Sequence, residues 1–139
     1  MILLDTNIIS ELMRPKPDAM VQHWLEALGD EPLAISVITI SEIVFGLERL
    51  DNGRRKQDLQ ARFEAFVAPD SGLAIFPLDE DSARLAGTFR ALRVSVGQHG
   101  HPSDMFIAGI AGANGASLAT RNTKDFNGLP IELLDPWQA

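Results

Sequence analysis

The chain has 139 residues, 45% of them hydrophobic, no cysteine, and a formal charge of −7 from 12 basic and 19 acidic side chains. Its length lies near the usual size of one domain, so residues 1–139 are expected to fold as a single unit around a real core. The absence of cysteine excludes disulfides and thiolate metal sites. The acidic balance argues against coating nucleic acid by phosphate neutralisation, though a bound cation can invert the field locally.

Short apolar runs alternate with helical patterns along the chain, which is the mark of βαβ units and a mainly parallel sheet. Residues 2–4 read as a first strand, followed by a short helix from about Asn7 to Met13 that Pro15 and Pro17 break. Asp18 caps a second helix with Val21, Trp24, Leu25 and Leu28 on one face, and Gly29 ends it. Residues 33–36 form a second strand. A helix then runs from about Ile40 to Leu50, with a turn at Asn52-Gly53. Residues 55–67 are helical, with Leu59, Phe63, Phe66 and Val67 inward, and their surplus of apolar faces, like that of residues 18–28, suits a homodimer or a partner groove.

Leu73 to Pro77 reads as the third strand, and Asp79 caps a helix with Leu85, Phe89, Leu92 and Val96 at helical spacing. After a loop over Gly97–Pro102, Ser103 caps a helix over 104–113 that stops at Asn114-Gly115. Strands over 117–120 and 131–134 complete the chain. The opening segment lacks a basic region, and the longest apolar stretch, Met105 to Ala113, is half the length of a membrane span. A soluble, cytoplasmic protein that does not engage a membrane is expected.

Four acidic positions stand out against this pattern. Asp5 ends the first strand, Glu42 lies early in the helix after the second, Asp104 opens the 104–113 helix, and Asp125 follows the 117–120 strand. Each has an ordinary explanation: Asp5 as an N-cap, Thr39-Ile40-Ser41-Glu42 as a capping box, Asp104 at a helix dipole, and Asp125 in a turn. Yet the carboxyl ends of parallel strands share one edge, where ligands bind, so these acids can converge. Carboxylates packed together repel and take up protons unless a cation sits between them. Oxygen-only ligands of this kind point to Mg²⁺ or Mn²⁺, and through them to phosphate-ester chemistry.

Several other features carry less. The Gly109, Gly112 and Gly115 series lacks the Lys-Ser/Thr of a phosphate loop and suits close helix packing. Arg54-Arg55-Lys56 suits a solvated face, with RNA contact as the alternative. His101 lies near Asp104 in sequence, and Arg121 could hold a phosphate by bidentate bonds.

Taken together, Leu3-Leu4-Asp5-Thr6-Asn7, Ile40-Ser41-Glu42-Ile43 with Gly46 and Leu47, Ser103-Asp104-Met105-Phe106-Ile107-Ala108, Thr120-Arg121-Asn122-Thr123-Lys124-Asp125-Phe126 and the closing Asp135-Pro136-Trp137 resemble the ordered motifs of PIN-domain nucleases. The resemblance runs from Met1 to about Trp137 and is nearest to the VapC/FitB group of bacterial toxin–antitoxin ribonucleases. It implies a three-layer α/β/α fold with a mainly parallel sheet of four or five strands. It also implies a metal-dependent endoribonuclease with Asp5, Glu42 and Asp104 in the catalytic positions and Asp5 and Asp104 as principal ligands of Mg²⁺ or Mn²⁺.

Some relatives carry an acid where this chain has Asn122, and others carry one three residues later, at Asp125. The fourth place is therefore open between a neutral carbonyl and a charge. The partners implied are an RNA substrate, a second copy of the chain, and a small DNA-binding antitoxin of the VapB/FitA kind, with operator DNA reached only through it. The alternative is a catalytically silent PIN scaffold that binds RNA or protein without cutting.

Overall fold

The computed structural model describes residues 1–139. Five strands form one sheet: β1 (Ile2–Leu4), β2 (Leu33–Ser36), β3 (Ala74–Phe76), β4 (Ser117–Ala119) and β5 (Leu133–Leu134). Their spatial order is β3-β2-β1-β4-β5, and every neighbouring pair is parallel. The helices are α1 (Thr6–Leu12), α2 (Ala19–Ala27), α3 (Val37–Glu48), α4 (Arg54–Val67), α5 (Glu80–Ser95) and α6 (Pro102–Ala113), with a 3₁₀ turn at Thr123–Asp125. The expected parallel α/β architecture holds, at the upper end of the expected strand number.

The central strands β1, β2 and β4 are buried on both faces, as parallel sheets require, while the edge strand β3 leaves Ile75 exposed. Successive residues of the central strands alternate between two cores. Leu3, Ala34 and Leu118 join one core with α5 and α6 residues such as Phe89, Met105 and Ile110. Ile2, Leu4, Ile35 and Ala119 join a second, with Ile8 and Ile9 of α1, Ile43 and Leu47 of α3, and Phe63 of α4. Period-two alternation thus assigns the helices to two outer layers.

The α5–α6 pair packs tightly at Gly109. A methyl group there would lie 2.4 Å from the Ser82 carbonyl oxygen and 2.8 Å from the Ala86 nitrogen. Gly115 differs in kind: it has open space around it and a φ of +64°, which suits the left-handed end of α6.

Several boundaries depart from the sequence reading. Helix α3 begins at Val37 rather than Ile40, because Ser36, the last residue of β2, caps the helix by accepting a hydrogen bond from the Thr39 amide. The capping box expected at Thr39 and Glu42 therefore does not form. Helix α6 starts at Pro102, a residue suited to the first helical position, so Ser103 is inside it rather than capping it. Asp18 and Asp79 do cap α2 and α5. Of the residues at helical spacing on α5, Phe89 is buried, whereas Leu92, like Val96 just past the helix, is exposed. The apolar residues of α2 and α4 mostly pack into the second core, so no large surplus is left on those helices. The exposed large apolar side chains include Val37, Val44 and Phe45 on α3 and Ile75 on the edge strand β3. No helix is long and apolar enough to cross a membrane.

Candidate functional site

The chain winds from β1 through β2 to β3 on one side, then crosses to β4 and β5 on the other. The winding direction reverses between β1 and β4. Open α/β sheets bind ligands at such a switch, outside the carboxyl ends of the strands. Asp5 lies immediately past β1, and Thr120, Arg121 and Asn122 follow β4. A cleft of about 430 Å³ opens there, lined in part by Asp5, Glu42, Asp104, Arg121, Asn122 and Trp137. Asp125 is not on its wall; it sits half-buried in the 3₁₀ turn behind.

Asp5 is the buried member of the group. Its Oδ1 accepts the Thr6 amide at 2.8 Å, so Asp5 does serve as the N-cap of α1. Its Oδ2 accepts the Thr120 hydroxyl at 2.7 Å, and this second oxygen ties β1 to β4 across the switch. Thr120 Oγ1 has one proton to give and spends it on Asp5. It can then accept from the Asn122 amide (3.1 Å) and from Asn7 Nδ2 (3.3 Å). The Arg121 amide donates to Asn7 Oδ1 at 3.2 Å. The Asp-Thr-Asn and Thr-Arg-Asn segments therefore brace each other residue by residue.

Glu42 arrives from the second turn of α3 and is exposed. Thr6 Oγ1 donates to its Oε1 at 2.8 Å and lies 3.1 Å from the Thr39 hydroxyl. Thr6 thus links the β1 edge to α3 and orients the carboxylate over the cleft.

Electrostatics set the state of the acids. Burial pushes the Asp5 carboxyl above its usual range, and Glu42 and Asp125 add to the rise, against the opposing bonds from Thr120 and Thr6. Asp104, half-buried in the first turn of α6, is pushed up to about 6, first by burial and then by the charges of Asp5 and Asp125, while His101 opposes. The four acids feel one another through space. No three acidic or imidazole side chains, however, are drawn tightly enough together to enclose an ion as they stand. A set of hard oxygen donors under mutual repulsion, one of them buried and fixed by hydrogen bonds from Thr6, Thr120 and Asn7, matches the donor chemistry of Mg²⁺ or Mn²⁺.

Cations surround the acids. Arg14 bonds Glu11, a buried acid on the same cleft, at 3.2 Å. Arg121 lies over the Trp137 ring, 4.8 Å from its centre. A neighbouring cleft of about 670 Å³ shares Thr6, Ser10, Arg14 and Glu42 with the first, and adds Arg54, Arg55 and Arg62 beside the apolar Ile43 and Leu47. A third, more apolar cleft of about 680 Å³ near Leu25, Leu33 and Phe66 gathers no comparable chemistry.

Nothing in the local sequence marks Arg93 as a structural residue. It is 3% exposed, and its guanidinium donates to the carbonyls of His99 (2.6 Å), Asn127 (2.6 Å) and Lys124 (3.3 Å). It fastens the loop before α6 to the segment after β4. An arginine in a helix otherwise rich in surface charge gives no local sign of such burial.

Comparison with known proteins gives consistent results. The sequence profile of the PIN domain matches residues 2–130. The chain is 36% identical to a VapC ribonuclease of Sinorhizobium fredii, covering 99% of each chain. It is likewise 36% identical to the toxin FitB of Neisseria gonorrhoeae, again over 99% of both. Among solved structures, FitAcB from N. gonorrhoeae superposes with a TM-score of 0.86 at 32% identity over the full length of both chains. FitAB bound to a DNA fragment gives 0.88 at 36% identity, covering 99% of this chain and 96% of that one. DNA-bound VapBC from Salmonella typhimurium gives 0.80 at 28% identity, with 97% of each chain covered.

Proposed function

The chain belongs to the PIN-domain family, and from that premise we propose that it is a metal-dependent endoribonuclease acting as the toxin of a toxin–antitoxin pair. The single observation that carries the reading is the convergence of Asp5, Glu42 and Asp104 on one cleft at the switch point of the sheet.

Asp5 and Asp104 are the principal ligands in this reading, because burial and mutual repulsion leave them the most in need of a compensating cation. Asn122 and Asp125 divide the fourth role. Asn122 offers a neutral oxygen at the cleft wall, and Asp125 adds charge from behind it. Bound Mg²⁺ or Mn²⁺ would supply Lewis acidity toward the scissile phosphate and the attacking water.

Glu42, held by Thr6, is exposed enough to orient that water and take its proton. The water oxygen bonds to phosphorus, the bond from phosphorus to the 3′ oxygen breaks, and that oxygen is protonated. The products are a 5′-phosphate and a 3′-hydroxyl, as the family resemblance implies.

The partner follows from the same surfaces. FitAB and VapBC are toxin–antitoxin assemblies, and an antitoxin of that kind would suit this chain. Such a tail would suit the adjoining cleft, which Arg14, Arg54, Arg55 and Arg62 line beside apolar Ile43 and Leu47, and would end beside the acids. A cationic residue of that tail would compete with the metal for Asp5 and Asp104. Operator DNA is then reached through the antitoxin, and the cell compartment is the cytoplasm. Homodimerisation belongs to the same proposal, now assigned to the exposed apolar residues of α3 and β3.

The test is incubation of the purified protein with structured RNA and Mn²⁺, alongside Asp5→Asn and Asp104→Asn. Each variant removes an anionic oxygen at nearly constant volume, so circular dichroism should be unchanged while cleavage falls by roughly a hundredfold or more. Near wild-type cleavage in either variant defeats the assignment. RNA binding without any cleavage by the wild type would favour the silent scaffold.

A further inference from the structure

Three guanidinium groups lie at or near the acidic cleft, and they are not equivalent. Arg93 is buried and spends its donors on backbone carbonyls. Arg14 is paired with Glu11. Arg121 is exposed, lines the cleft, and makes neither an ion pair nor a side-chain hydrogen bond, although acids share that cleft with it. We propose that Arg121 and Trp137 together form a phosphodiester subsite, a guanidinium seated on an indole face, that grips the RNA backbone beside the scissile bond. The proposal rests on the ribonuclease reading above.

Both halves of the pair are fixed from behind. The Arg121 amide is bonded to Asn7, and its neighbours Thr120 and Asn122 are bonded to each other through the Thr120 hydroxyl. The Trp137 amide donates to Asp135 Oδ1 at 2.9 Å, closing a small turn, and the side chain packs against the second core. The guanidinium carbon stands 4.8 Å from the ring centroid, within the range of a cation–π contact. The contact engages none of the five guanidinium N–H donors in a hydrogen bond or ion pair, so they stay available to a ligand. A planar cation held against the ring loses less rotamer freedom than a loose arginine when it makes two parallel bonds to a phosphate.

The location explains why such a group is needed. Asp5, Glu42, Asp104 and Asp125 together repel an incoming polyanion, and the chain as a whole carries −7. A cation bonded directly to those acids would cancel the charge that a metal requires. Stacking on an uncharged indole holds a cation beside the acids while keeping it out of their hydrogen bonds. A phosphate one step along the strand from the scissile one would then find a partner at the cleft wall.

The test uses fluorescein-labelled hexaadenylate RNA, with binding read by anisotropy in chelator, where cleavage does not interfere. Arg121→Gln should weaken binding by about tenfold or more, and Arg121→Lys by less, since an ammonium keeps charge but not the fork. Trp137→Phe should stay within about threefold of wild type, because phenylalanine keeps an aromatic face. Trp137→Leu should approach Arg121→Gln, and the double variant should be no worse than Arg121→Gln alone, because the two residues act as one unit. In cleavage assays with Mn²⁺, Arg121→Gln should raise KM and leave kcat nearly unchanged, which a folding defect would not do. Melting curves of each variant exclude misfolding, and the conservative pair Arg121→Lys and Trp137→Phe carries the comparison if Trp137→Leu unfolds.

Wild-type affinity in Arg121→Gln, additive losses in the double variant, or no RNA binding by wild type would each overturn the subsite. Inorganic phosphate that occupies the site more tightly than the RNA would reassign it to a free anion. Failure of the wild type to cleave any RNA, with binding still dependent on Arg121, would defeat the parent reading and leave the subsite standing.

Discussion

Asp104 is the residue whose behaviour in solution reports most directly on the acid group. Its carboxyl is pushed up to about 6, above the ordinary 3.8, so the metal-free folded protein holds a proton there that the unfolded chain releases. The stabilising contribution of that proton is complete below the unfolded pKa and is lost as pH rises through the folded one. Asp5 is shifted in the same direction. In chelator, the melting temperature should therefore fall between about pH 4 and pH 6.5 relative to Asp104→Asn, which carries no charge to lose. The effect is modest, because the group is half-exposed and solvent screens it. Excess Mg²⁺ should reverse the order near neutral pH by occupying the anionic wild-type site. Asp104→Asn melting lower than wild type at pH 7.5 in chelator, with no stabilisation of wild type by Mg²⁺, would contradict this.

At the scale of elements, the site depends on four segments: the start of α1 after β1, the second turn of α3, the start of α6 and the turn after β4, the first and last of which follow paired strands. Hydrogen bonds from Thr120, Asn7 and Arg121 join the first and fourth. Arg93 joins the third to the fourth through His99, Asn127 and Lys124. Arg93→Met would leave three carbonyls without their donor, at a cost of roughly 1–3 kcal/mol for each that stays buried. A lower melting temperature is expected, together with a higher Mn²⁺ requirement, because Asp104 and Asn122 then lose their mutual placement. An unchanged Mn²⁺ requirement in a destabilised variant would limit Arg93 to a purely structural role.

These joints mark the limit of what the chain discloses locally. The strand-to-helix alternation that carries Asp5 and Asp104 to one edge is readable, because hydrophobic period and Asp caps are short-range signals. Ser36 as the cap of α3 is not, since Ile35 to Ile40 is rich in β-branched residues and only sheet pairing shows where the strand stops. The burial of Arg93 and the stacking of Arg121 on Trp137 are long-range contacts with no local signature. The acids are legible as a group through the order of their motifs, whereas the set-back position of Asp125 becomes visible only in three dimensions.

For the molecule as a whole, the distribution of charge and apolar surface sets the expected assembly. Negative charge is focused in the Asp5–Asp104 cleft, while Arg54, Arg55 and Arg62 line the cleft beside it with Ile43 and Leu47. A tail that crosses both would need acidic and apolar residues along most of its length and one cation at the end that meets the acids. Arginine suits that end, because its guanidinium pairs bidentately with carboxylates and stays charged when desolvated. Phe45 on α3 is 62% exposed, and Val37, Val44 and Ile75 are also open to solvent, so α3 and β3 supply the apolar area that a second copy would cover. Co-expression with a VapB/FitA-like antitoxin partner should yield a complex of even stoichiometry in which RNA cleavage is suppressed. Replacing the tail's arginine with glutamine should restore cleavage without releasing the partner, since the adjoining cleft still holds the remainder. Phe45→Glu should halve the mass of the isolated protein in light scattering and leave its circular dichroism intact. A wild-type protein that is monomeric throughout, and fully active beside the partner, would contradict both parts of the assembly.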